Sequence, residues 1–149
     1  MRIYITRMKF TCEKEDKKYY EKAYDLIAEL KNQGHEIIYV SDDEFKFADY
    51  NVIWESISSC DCLLAFTDQY TLSSTWRNAE ITYALHGIGV YEKVDFRIPV
   101  FFYTAIDEHK SVSLDSYMRM VDDHFILPDD INSAAQIIET IMKKLKNFS

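Results

Sequence analysis

Short apolar runs separated by polar stretches recur along the chain: Ile3-Tyr4-Ile5, Ile37-Ile38-Tyr39-Val40, Cys62-Leu63-Leu64-Ala65-Phe66, Ile98-Pro99-Val100-Phe101-Phe102-Tyr103 and Phe125-Ile126-Leu127. Runs this short, without polar alternation, predict five strands, mostly buried on both faces. The segments between them carry helical spacing. Tyr20, Ala23, Tyr24, Ile27 and Leu30 fall on one face before Gly34 ends the turn. A second helix is expected from Asn51 to Ser59 with Val52, Ile53, Ser56 and Ile57 inward, and a third from Ser74 to His86. A last helix follows Asp129-Asp130 and carries Ile131, Ala134, Ile138, Ile141, Met142 and Leu145. Between Asp107 and Asp123, Leu114, Tyr117, Met118 and Val121 fit one further helical stripe. Strands alternating with helices imply βαβ units with right-handed crossovers, hence an α/β fold with a five-stranded parallel sheet covered on both faces. No linker, repeat or low-complexity stretch divides residues 1–149, so one domain is expected. Ligands of such sheets bind at the carboxyl ends of the strands, near the switch in strand order.

Composition narrows the chemistry. A formal net charge of -8 opposes a general nucleic-acid surface. With only three glycines (Gly34, Gly87, Gly89), the chain lacks the glycine clusters by which P-loops and dinucleotide folds cradle phosphate. The apolar runs fall far short of the roughly 20 residues that span a bilayer, so no membrane partner is expected. Cys12, Cys60 and Cys62 are odd in number, and Met1 leads straight into a strand-like run without an apolar leader. An intracellular, reduced, cytoplasmic protein is the expectation. Cys60-Asp61-Cys62 is too tight for a zinc pair, the four histidines are scattered, and Asp42-Asp43-Glu44 lacks calcium-loop spacing, so no metal is expected. Trp54 and Tyr83 read as core aromatics. Phe45 and Phe47, flanking Lys46 in an acidic loop, suggest a ligand or partner contact.

The informative segment runs from Thr67 to Leu85. Ser73 and Ser74 are good N-caps for a helix starting at the carboxyl edge of the sheet. At about 100° per residue, Trp76, Glu80, Tyr83 and Ala84 share one helical face, and Ile81, Leu85 and Ile88 continue the apolar arc. Glu80 therefore stands within an apolar stripe. A carboxylate there needs compensation, from a structural base such as Arg77 three residues away or from the hydroxyls of a bound sugar. Arg7 and Lys9, just beyond the first strand, sit at the same edge, where they would neutralise a phosphate or solvate a loop.

Tyr70, Ser73 or Ser74, Trp76 and Glu80, following strand 62–66 and Thr67, resemble the pattern of the TIR (Toll/interleukin-1 receptor) domain family. Ile3-Tyr4-Ile5-Thr6 is similar to that family's opening strand ending in a hydroxyl residue. Leu30 to Val40 resembles its first helix, glycine and second strand; Lys46-Phe47 through Thr67 has close to the spacing of its BB loop, second helix and third strand; Ile98-Pro99-Val100 resembles its fourth. The chain departs from the pattern where Ser41 to Phe47 replaces the Pro-Gly of the BB loop and where Arg77 replaces a cysteine. The resemblance implies a flavodoxin-like, doubly wound fold and cleavage of the nicotinamide–ribose bond of NAD, with NAD a substrate and no cofactor. It makes Glu80 the catalytic carboxylate and Phe47 the residue stacking on the ring. Thr6, Arg7, Lys9, Ser74 and Trp76 complete the expected substrate contacts. One carboxylate suffices because nicotinamide leaves as a neutral molecule and needs no general acid, unlike an O-glycoside. Self-association through the BB-type loop and a separate effector protein, in a defence pathway that uses a nucleotide signal, are the implied partners. Two alternatives stand beside this reading. The nucleoside 2-deoxyribosyltransferases share the sheet and use a glutamate at the corresponding helix as a covalent nucleophile, although their Asp-x-Gly-Thr motif is absent. A TIR module that binds like domains without catalysis is the other.

Overall fold

The computed structural model describes residues 1–6, 14–39, 50–67, 75–89, 93–104, 121 and 123–126, with helical backbone also at 139, 143 and 146. Its strands are β1 (Arg2–Ile5), β2 (Glu36–Ile38), β3 (Cys62–Thr67), β4 (Val100–Thr104) and β5 (Asp123–Ile126). Its continuous helices are α1 (Lys14–Asn32), α2 (Tyr50–Ser58) and α3 (Thr75–His86). The strands form one parallel sheet in the order β2-β1-β3-β4-β5. The expected α/β fold with a parallel sheet is therefore present.

The interior strands read as continuous apolar runs because both of their faces are covered. Ile3, Tyr4 and Ile5 are buried, as are Cys62 through Phe66. Alternation along the strands sorts these residues into two rows. Tyr4, Leu63, Ala65, Val100 and Phe102 share one core cluster with Ile53, Trp54 and Ile57 of α2 and Ile81, Tyr83 and Ala84 of α3. Their neighbours Ile3, Ile5, Leu64, Phe66 and Phe101 are equally buried and lie outside that cluster, as do Ala23, Leu26 and Leu30 of α1.

Helix ends follow local chemistry. Gly34 adopts φ +89°, its amide donates to Lys31 O at 3.0 Å and that of His35 to Leu30 O at 3.1 Å. This paired return closes α1 by a Schellman motif and turns the chain into β2. Gly87 (φ +66°) ends α3, and its amide donates to Tyr83 O at 2.8 Å. A Cβ there would meet Val94 O at 2.1 Å, so the connector to β4 crosses the helix end only because this residue is glycine. The connector then pairs Ile88 with Lys93 in an isolated antiparallel bridge.

Several expected boundaries and faces shift. β4 begins at Val100 rather than Ile98, because the Ile98 amide donates to Ala84 O at 3.0 Å and Pro99 has no N–H to offer the ladder. The inward face of α2 holds Ile53, Trp54 and Ile57, while Val52 is 50% exposed. The buried stripe of α1 is Ala23, Leu26 and Leu30, with Tyr24 49% exposed. Ile88 does not extend the arc of α3, since Gly87 turns the chain away and leaves Ile88 exposed. Trp54 and Tyr83 are core aromatics as expected, stacked at 4.6 Å, and Phe96 stacks on Tyr83 at 5.2 Å. The stripe proposed between Asp107 and Asp123, apart from the buried Val121, and the apolar face of the last helix lie outside the described residues.

Candidate functional site

The parallel sheet fixes where the site lies. β3 ends at Thr67 on the carboxyl edge, and α3 returns from Thr75 towards the amino edge. Glu80, in the second turn of α3, therefore sits just inside the carboxyl edge. Its solvent exposure is 0%, among Ile81, Ala84 and the cluster they share with the sheet. The helical spacing placed a carboxylate in an apolar stripe, and the fold buries it completely.

Tyr4, at the centre of β1, faces the same cluster and is fully buried. Burial, then the charge of Glu80 and a hydrogen bond to its carboxylate, with a smaller effect of Cys60, hold the Tyr4 phenol far above its usual range. The contact is loose, since the hydroxyl meets no strict hydrogen-bond geometry. Tyr4 is thus a neutral phenol beside the carboxylate at every physiological pH. Sequence reasoning treated Tyr4 as a strand residue only. Its signal was the phenol itself, a polar tip in the middle of a fully apolar strand that had to find a partner inside. Thr6, expected as a substrate contact, follows β1 and is 1% exposed, with its Oγ1 buried. Tyr4 and Thr6 are two residues apart, so they share one face of the sheet. The structure thus brings Glu80, Tyr4 and Thr6 to one side of the sheet near its carboxyl edge. Both Glu80 and Thr6 are closed off from solvent.

The other expected contacts are not positioned by the structure. Arg7, Lys9, Phe45, Phe47, Ser74 and the acidic stretch 42–44 lie outside the described residues. Trp76 and Arg77 belong to the first turn of α3, but their side chains are outside the description. A shallow groove between His86 and the Lys93–Arg97 segment lies at the far end of α3, away from Glu80. Among the described residues no group of three or more His, Cys, Asp or Glu side chains could hold a metal ion. Cys60 and Cys62 are free, buried thiols. Burial pushes both up, Cys62 to about 12, so neither is a nucleophile near neutral pH. No described helix is long and apolar enough to cross a membrane.

No protein-family model matches the chain, and no curated protein matches it. Nine chains of solved structure do. One is the Clostridium botulinum CMP N-glycosidase BcmB, 17% identical, with a TM-score of 0.59 over 95% of this chain and 99% of that one. The likeness establishes a shared fold along nearly the whole length of both chains. At that identity the likeness speaks for the fold alone and does not single out TIR domains.

Proposed function

We propose that this protein is an enzyme that cleaves the N-glycosidic bond of a nucleotide, with Glu80 as its catalytic carboxylate. The observation that carries the reading is the fully buried Glu80 with the Tyr4 phenol against it, near the carboxyl edge of a parallel sheet. Burying a carboxylate costs free energy that its partners must offset, and such groups cluster at functional sites. The fold likeness to a CMP N-glycosidase gives that carboxylate a reaction. This reading follows the nucleoside 2-deoxyribosyltransferase-like alternative more closely than the NAD-cleaving one. The sheet order β2-β1-β3-β4-β5 is that of flavodoxin-like, doubly wound folds, which supports extending the description to that class.

The chemistry requires little more than this site offers. The Glu80 carboxylate attacks the anomeric carbon of the ribose as the C–N bond breaks. The base leaves with the bonding electron pair and takes up a proton from solvent. Water then hydrolyses the glutamyl–sugar ester, which gives the free sugar phosphate and restores the carboxylate. Positive charge develops on the sugar ring throughout, and an adjacent anion in a water-poor site stabilises it. The neutral Tyr4 phenol lies beside the carboxylate and adds no opposing charge.

The test is incubation of the full chain with CMP, a panel of other nucleoside 5′-monophosphates, and NAD, with products identified by mass spectrometry. Release of a free base with ribose 5-phosphate is expected from one of the monophosphates. Release of nicotinamide alone would restore the NAD reading, and no release from any substrate would remove the enzyme reading.

A further inference from the structure

No further inference is drawn: the strongest candidate, the shallow groove between the end of α3 and the Lys93–Arg97 segment, mixes Lys93 and Arg97 with Asp95 among its lining residues, and nothing in the structure shows what covers it.

Discussion

Replacing Glu80 with glutamine keeps the shape of the side chain and removes only its charge. Glu80 is fully buried, so it acts in a medium of low effective dielectric rather than in water. At an effective dielectric of about 20 and a separation of about 4 Å, a carboxylate stabilises a unit positive charge on the sugar by about 4 kcal/mol. Each 1.36 kcal/mol is a factor of ten in rate, so complete loss of that interaction corresponds to roughly a thousandfold. The amide dipole of glutamine recovers part of this, which leaves a loss of about a hundredfold as the lower bound. If Glu80 also forms the covalent bond, the loss is larger, because an amide oxygen is a poor nucleophile. The assay is base release from the preferred nucleotide under single-turnover conditions, with circular dichroism and melting temperature as controls for the fold. The drop should lie in the chemical step and leave substrate affinity within a few fold. A Glu80→Gln protein that is folded and releases base at a rate within threefold of wild type would refute the assignment of Glu80.

Tyr4→Phe removes the phenol that faces Glu80 and should lower kcat about tenfold with little change in KM. Its melting temperature should stay close to wild type, because the lost hydroxyl makes no well-formed hydrogen bond; a large stability loss with normal kcat would make Tyr4 purely structural. Gly87→Ala should destabilise by about 2–4 kcal/mol, combining a left-handed backbone with a Cβ driven into Val94 O, whereas Gly34→Ala, with nothing within 4 Å, should cost only the backbone term of about 1 kcal/mol. Equal melting temperatures for the two variants would contradict the connector geometry. Cys60 and Cys62 should resist a thiol reagent at pH 8 in a Cys12→Ser background and react fully in denaturant, and rapid labelling of the native protein would show that the thiols are accessible. Because burial raises the folded-state values of Cys60, Cys62 and Tyr4, the stability they favour is complete below the unfolded thiol range and is lost as pH rises. Denaturation midpoints should therefore fall from about pH 9 towards pH 12, and an increase over that window would reverse the assigned direction.

The parallel sheet was legible because unbroken apolar runs have few other solutions: a strand covered on both faces cannot alternate. The burial of Glu80 was legible for a related reason, since one charge within a helical stripe stays on that stripe whatever the neighbours are. Faces were less secure where a helix carries apolar residues on more than one side. On α2, Val52 and Trp54 compete for the interior, and Trp54 takes the buried side because Tyr83 offers it a stacking surface that only the tertiary fold provides. On α1, Leu26 takes the place that spacing gave to Ile27, a rotation of one residue that periodicity alone does not resolve. The start of β4 depends on a hydrogen bond from Ile98 to Ala84, a contact across the chain that no local pattern encodes. Tyr4 was overlooked for the same reason, since its significance lies in a residue 76 positions away that β1 and α3 bring together.

The two edges of the sheet differ in how far their polar side chains are exposed: Arg2 and Glu36 at the amino edge are 43% and 62% exposed, whereas Thr6 and Glu80 towards the carboxyl edge are closed off. At the amino edge the Arg2 amide donates to Asp61 Oδ2 at 2.7 Å and its Nη1 to Ser59 O at 3.2 Å, while its Nε lies 3.0 Å from Glu36 Oε2 as an ion pair. Asp61 returns the contact through its own amide, which donates to Arg2 O at 2.8 Å. These bonds tie the start of β1 to the entry of β3 and to β2, which is what a purely structural edge requires. Towards the carboxyl edge the fold buries a threonine hydroxyl with no partner among the described residues, a phenol in a loose contact and a carboxylate. Hydrophobic residues of similar volume would make that end of the sheet more stable. Polar side chains kept in the interior at that end of the sheet, where apolar ones would pack, are what places the proposed site there.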